Sequence, residues 1–265
     1  MARSRSDQPV LFCGDLHGVF RQVTEACEQA CASAVVLLGD MEPLRPLEVE
    51  LAPLLESGVP LYWIGGNHDA DSDELWQWTW GSALADRCVH GRVVELPDGR
   101  RLAGLSGVFR EAVWYPTLAG ARGGVPTWRS RDEHAHFTPR QARWLGGPPR
   151  KHWGTIYPED VERLADSQAD ILITHEAPGY HPYGFALLDG LARSMGVRWA
   201  IHGHQHDALD SSARWLDQGF STFGVGLRGV SALWPDGGWE VVVPGLRDAE
   251  RAGRLASECE GFDGD

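Results

Sequence analysis

Val10-Leu11-Phe12-Cys13-Gly14-Asp15-Leu16-His17-Gly18 is the stretch on which the fold turns. Four consecutive apolar residues are too few for a helix and read as a strand buried on both faces. An aspartate and a histidine two positions apart then stand between glycines, where a plain turn would need neither. Outward from here, Val19, Phe20, Val23, Cys27 and Ala30 recur at three- and four-residue steps, an amphipathic helix. Val35-Val36-Leu37-Leu38 is a second apolar run, ended by Gly39-Asp40, and Pro46 to Glu56 reads as a helix that Pro53 kinks or restarts. Pro60-Leu61-Tyr62-Trp63-Ile64 is a third run, ended by Gly65-Gly66-Asn67-His68-Asp69. A unit of strand, polar loop and helix therefore repeats. It predicts a largely parallel sheet covered on both faces, with a site beyond the carboxyl ends of its strands.

Further along, Ser72 is an N-cap for a partly helical stretch from Asp73 to Arg87 that holds Trp76, Trp78 and Trp80, read as packing residues. Arg92–Leu96, Pro97-Asp98-Gly99 and Arg101–Leu105 predict a hairpin. Residues 110–155, rich in Gly, Pro, Arg and Trp, read as an insertion beside the site, with one helix near Arg140 to Leu145. A helix starts at Pro158, a strand over 170–174 ends at His175, a helix covers Ala186 to Met195, and a strand over 197–201 leads into Gly203-His204-Gln205-His206. Thr222–Val225, Val230–Trp234 and Trp239–Val243 are expected as sequential strands of a second sheet. No repeat or linker divides residues 1–265, so one domain is expected, with a polar tail over 246–265 that frays.

At 265 residues the chain can bury a substantial core without disulfides. Five cysteines without a CxxC pair point to reduced thiols and a cytoplasmic setting. Cys13 reads as a small buried strand residue, not a ligand. No apolar run approaches a membrane span, and a formal net charge of −13 does not suit a general nucleic-acid binder. The charge is uneven, since Arg92 to Lys151 contains eleven Lys or Arg against five Asp or Glu.

The chemistry lies in five clusters: Asp15 and His17; Asp40; Asn67 and His68; His175; His204 and His206. Hard oxygen donors mixed with imidazoles suit two divalent cations such as Mn, Fe or Zn. Two cations roughly 3.5–4 Å apart activate a water near neutral pH and take up charge on a phosphoryl group. Asp40 is the best bridge between them. Asp15, His17 and one late histidine complete one site; Asn67, His175 and the other late histidine complete the second. His68, adjacent to Asn67, points elsewhere and is placed to protonate a leaving oxygen. Asp69 or Asp71 would orient it, and Asp69 is grouped with His68 as catalytic. His90, His134, His136, His152 and His181 fit no cluster and are expected on the surface or in loops, with His181 and His202 as supports for the ligands.

Taken together, the clusters resemble the calcineurin-like metallophosphoesterase superfamily, whose pattern is Asp-x-His, Gly-Asp, Gly-Asn-His-Asp/Glu, a lone His and Gly-His-x-His. The match spans Gly14 to His206. The resemblance implies an α/β fold, a four-layer α/β/β/α sandwich with two mixed sheets. It implies metal ligation by Asp15, His17, Asp40, Asn67, His175, His204 and His206, catalysis by His68, and a phosphate-ester substrate. Gly39-Asp40-Met41-Glu42-Pro43 departs from the common Gly-Asp-x-x-Asp, which disfavours the protein phosphatase and bis-nucleoside-tetraphosphatase branches. Ile64–His68, Gly104–Phe109 and Thr174-His175-Glu176-Ala177-Pro178 look locally like the RNA lariat debranching branch, which usually carries Cys where Asp15 stands. A phosphodiesterase is the favoured expectation. The alternatives are a nucleic-acid processing nuclease, with nucleic acid as substrate, and a non-catalytic interaction scaffold. No substrate-binding residue is assigned.

Overall fold

The computed structural model describes residues 7–116, 124–248 and 250. The expected tail therefore lies, beyond Glu250, outside the described residues, as do residues 117–123 of the expected insertion. Before that limit, Leu246 is tied by its N–H to the Leu227 carbonyl. The chain runs β1 (Val10–Cys13), α1 (Arg21–Ala30), β2 (Ala34–Leu37), α2 (Leu47–Glu50), α3 (Ala52–Glu56), β3 (Leu61–Trp63), α4 (Asp73–Trp78), β4 (Val93–Glu95) and β5 (Arg101–Leu105). It continues through α5 (Arg131–Phe137), α6 (Pro158–Ala165), β6 (Ile171–Thr174), α7 (Ala186–Ser194), β7 (Trp199–His202), α8 (Trp215–Gln218), β8 (Ser221–Gly224), β9 (Val230–Leu233) and β10 (Trp239–Val243).

Two mixed five-stranded sheets result, in the orders β10-β9-β1-β2-β3 and β4-β5-β6-β7-β8. In the first, β1, β2 and β3 are parallel, and β9 runs antiparallel to β1. In the second, β5 to β8 are parallel and β4 closes the edge as a hairpin. Period-two alternation explains why β1 is apolar throughout. Leu11 and Cys13 face an outer core with Val23 and Cys27 of α1. Val10 and Phe12 face the other sheet, where they meet Ile171, Ile173, Ile201 and Phe223. A third core, including Leu164 of α6 and Leu188 of α7, covers the far face of the second sheet. Helices, sheet, sheet and helices make the four layers of an α/β/β/α sandwich.

Two expectations are corrected, and the break expected from Pro53 is located. The last three strands do not form a sheet of their own. β8 extends the second sheet, while β9 and β10 return to the first beside β1, because the apolar edge of β1 has no other partner. The helix over 46–56 is broken in two at Leu51, whose φ of −100° and ψ of 13° leave the helical region just ahead of Pro53. Arg140 to Leu145 holds only a short 3-10 turn at Arg140–Ala142, and the insertion's helix is α5 instead. Ser130 caps α5 by accepting the Glu133 N–H at 3.0 Å. Ser130-x-x-Glu133 is a recognisable start signal in the sequence.

Candidate metal centre and catalytic residues

Each ligand loop leaves the carboxyl end of a strand: Asp15 and His17 follow β1, Asp40 follows β2, Asn67 follows β3, His175 follows β6, and His204 and His206 follow β7. The loops are tightly bent. Asp15, His17, Asp40, His204 and His206 have φ of 40°, 41°, 45°, 65° and 60°, left-handed conformations that residues other than glycine rarely hold without function. Glycine is required where the loops cross. A Cβ on Gly66 would lie 2.1 Å from Asp40 Oδ1 and 2.7 Å from the His175 ring.

The side chains gather into two adjacent groups, Asp15 with His17 and His206, and Asp40 with His175 and His204. Within each, the donor atoms lie within 4.8 Å of one another. His17 Nε2 and His206 Nε2 are 3.4 Å apart, and His175 Nε2 is 3.3 Å from Asp40 Oδ2. Asn67 Oδ1, 3.2 Å from His175 Nε2, belongs with the second group. Neighbouring groups fix which ring nitrogens face inward. His175 Nδ1 donates to the Leu38 carbonyl at 2.7 Å, and His17 Nδ1 meets the Glu42 carboxylate, so each Nε2 points into the centre.

The electrostatics fit a cationic occupant. Asp15 and Asp40 are buried among apolar strands. Burial, with Asp40 adding and His175 opposing, pushes the Asp15 carboxyl up to about 8. Burial would raise Asp40 too, yet His175 beside it holds that carboxyl well below the usual range. Burial would lower His175, but Asp40 and Asp15 push it up to about 10. The pocket thus binds protons in place of a larger positive charge, as an oxygen and imidazole donor set for divalent cations does.

Comparison with known proteins agrees with this geometry. The sequence model of calcineurin-like phosphoesterases matches residues 8–208. The chain belongs to that family. It is therefore a metal-dependent phosphoester hydrolase, with a phosphate ester as substrate. A protein of Haemophilus influenzae is 35% identical over 198 residues, 75% of this chain and 83% of its own length. Among solved structures, TT1561 of Thermus thermophilus superposes with a TM-score of 0.57 at 14% identity, covering 88% of this chain and 97% of the other. A dimetal phosphatase from Danio rerio gives 0.51 at 14%, covering 86% and 93%. These two likenesses bear on the fold.

Beside the first group stands His68, its ring centroid 5.8 Å from that of His17. Its Nδ1 lies 2.7 Å from Asp71 Oδ2. Of the two carboxylates left open by the sequence, Asp71 is the one set against His68. Asp69 is buried and turned away: Oδ1 accepts the N–H groups of Met41 at 2.7 Å and Glu42 at 3.1 Å, and Oδ2 accepts that of Gly66 at 2.8 Å. It ties the Asp40 loop to the Asn67 loop, so in this phosphoesterase its geometry is that of a positioning residue.

The remaining histidines divide. His134 and His152 are buried rather than superficial, and His134 Nδ1 is 2.8 Å from the Tyr157 hydroxyl. His181 pairs with Asp207 at 3.2 Å, and His202 is buried beside it with rings 5.9 Å apart, neither bonded to a ligand by the contacts above. Trp76 is packing, edge-on to Trp144 and Trp153 at 5.8 and 5.0 Å. Part of the basic stretch is paired with carboxylates: Arg131 with buried Asp160 and Arg150 with Asp73, and at the surface Arg101 with Asp170 and Arg129 with Glu162. Glu42, Glu176 and Arg110 were not singled out as site residues by the sequence. Glu42 and Glu176 adjoin motif residues, which is the signal that could have found them. Arg110 carries no local signal.

Among the described residues the thiols of Cys13, Cys27, Cys31 and Cys88 are free. No described helix is long and apolar enough to cross a membrane.

Proposed function

We propose that this phosphoesterase hydrolyses phosphodiesters with two divalent cations, of which Mn, Fe or Zn suit the donors. Asp15, His17 and His206 would hold one, and Asp40, His175, His204 and Asn67 the other, with Asp40 between them. When bound, such a pair supplies Lewis acidity and an activated water. The chain's own residues do the rest. His175 and His17 keep fixed tautomers through the Leu38 carbonyl and Glu42, and Asp69 holds two ligand loops in register. His68, oriented by Asp71, donates the proton that a departing alkoxide needs.

The observation that carries the diester reading is a cavity of about 420 Å³ that opens directly beside Asn67 and His204. A monoester has no second arm to place there, whereas a diester does. Pairing of Arg101, Arg129, Arg131 and Arg150 with carboxylates leaves fewer free cations in the basic stretch for a long nucleic acid as substrate. Retention of seven ligand residues and His68 in one pocket argues against a silent scaffold. Free thiols agree with a cytoplasmic setting. The test is hydrolysis of bis-p-nitrophenyl phosphate against p-nitrophenyl phosphate with added Mn. Faster diester cleavage is expected, and faster monoester cleavage would overturn the preference.

A further inference from the structure

The cavity beside the metal ligands has a composition unlike the rest of the site. Its walls set the rings of Phe109, Tyr115, Tyr183 and Phe185 among polar side chains, Arg110, Glu176 and Gln205 beside the ligand candidates Asn67 and His204. Phe109 and Phe185 form a floor with ring centroids 4.5 Å apart, and Tyr115 stands edge-on to Phe185 at 5.2 Å. Tyr183 is 75% exposed. It is nevertheless held in place, since its N–H donates to His181 Nδ1 at 3.1 Å and that ring in turn pairs with Asp207. Its ring leans on that of His181, with centroids 5.7 Å apart, and leaves most of its surface at the cavity mouth, where it is suited to stack on a ligand.

Arg110 is the second observation. Its Nε is buried and has no hydrogen-bond partner, and no ion pair of its guanidinium is found among the described residues. Buried guanidinium donors are normally satisfied, and an unsatisfied one at a site calls for an anionic partner. Nearby Glu176 does not supply one by direct contact. Its Oε1 accepts the Phe109 N–H at 3.1 Å, and its Oε2 faces His204 Nε2 at 3.9 Å.

The two sides of the centre differ accordingly. His68 stands by His17, on the side of the first ligand group, while the aromatic cavity opens by Asn67 and His204, on the side of the second. We infer that the substrate is a nucleoside phosphodiester. Its base stacks against Tyr183 and Tyr115, a phosphoryl oxygen takes Arg110, and the other ester arm leaves past His68. This inference rests on the diester reading above. Water's oxygen bonds to phosphorus as the bond to the departing ester oxygen breaks. That oxygen takes its proton from His68, the proton given up by the attacking water passes to solvent and restores His68 in turn, and the nucleoside monophosphate stays in the cavity.

Two p-nitrophenyl diesters separate the cavity from the reaction: p-nitrophenyl thymidine 5′-phosphate and methyl p-nitrophenyl phosphate. They share a leaving group, so cleavage of the methyl ester with Mn tests the diester reading alone. Tyr183→Ala is expected to raise KM for the thymidyl ester about tenfold more than for the methyl ester, the loss of one stacked base. Arg110→Gln is expected to raise KM for both esters. Binding of thymidine 5′-monophosphate, followed by calorimetry on the Mn-loaded protein, should weaken by about the same tenfold in Tyr183→Ala. Equal effects of Tyr183→Ala on both esters, or unchanged nucleotide binding, would overturn the inference even if diester cleavage holds. Failure to cleave either ester would overturn the reaction, and nucleotide binding would still decide the cavity.

Discussion

Removing the cations should make the fold's stability fall with pH in a window where most proteins are indifferent. Asp15 keeps its proton up to about pH 8 in the fold against 3.8 for the ordinary group, and His175 up to about 10 against 6.5. Between pH 6.5 and 8 the metal-free fold therefore binds protons that the unfolded chain has released, and stability drops as pH rises. Below 6.5 the slope is opposed. Burial pushes His204 down to about 3 and His202 to about 4, and both then favour the fold as pH rises. Each extra proton is worth about 1.4 kcal/mol per pH unit, so Asp15 and His175 together give about 1.4–2.7 kcal/mol per unit. For a chain of this size that is a fall of about 3–10 °C in Tm per unit.

Thermal melts followed by circular dichroism, with chelator and with excess Mn, would measure it. The loaded protein should behave in the opposite sense, since cations bind only deprotonated ligands and bind more tightly as pH rises. Asp15→Asn removes one of the two titrating groups and should roughly halve the metal-free slope while cancelling the gain from Mn. A metal-free Tm that is flat or rising from pH 6.5 to 8 would refute the electrostatic account of the centre.

Four further outcomes are expected. Glu42→Gln leaves His17 Nδ1 without its carboxylate and should weaken Mn binding about 10–100-fold by calorimetry, and an unchanged affinity would remove Glu42 from the site. Asp71→Asn should slow alkyl leaving groups by no more than about fivefold and p-nitrophenolate hardly at all, because the pair is about half exposed (44% and 51%) and such pairs are worth about 0.2–1 kcal/mol. Loss of His68 itself should cost about 10²–10⁴ on those alkyl esters. Gly66→Ala drives a methyl into Asp40 and His175 and should reduce metal content below two per chain, read by elemental analysis of the purified protein.

The ligand loops were legible in the sequence because each is a local event, an apolar strand that stops and a polar residue that follows. Parallel strands then put all those ends on one edge, so Asp15 and His206 meet although most of the chain separates them. Long-range pairing was less legible. Nothing local in Val230–Leu233 says that it lies beside Val10–Cys13, since a short apolar strand fits either sheet equally well. The choice between Asp69 and Asp71 was hidden for a related reason. Both follow His68 closely, and only the crossing of the Asp40 and Asn67 loops turns Asp69 inward to their amides and leaves Asp71 free for His68.

A division of labour in the fold follows from that difference. Residues at strand ends are placed by the sandwich, and they make up the candidate ligand set. Residues that meet only through the segment after β5, Arg110 and Tyr115, and through the loop before α7, Tyr183 and Phe185, build the cavity beside it. Tyr183 and Phe185 lie on the same β6–α7 loop as His175 but eight and ten residues beyond it, while Arg110 and Tyr115 lie on a segment that carries no candidate ligand. Arg131 and Arg150 anchor the insertion, one to Asp160 at the start of α6 and the other to Asp73 and the Ala70 carbonyl behind His68. On the diester reading proposed above, specificity would rest on this cavity, and a substrate would be selected by what its second ester arm can stack on.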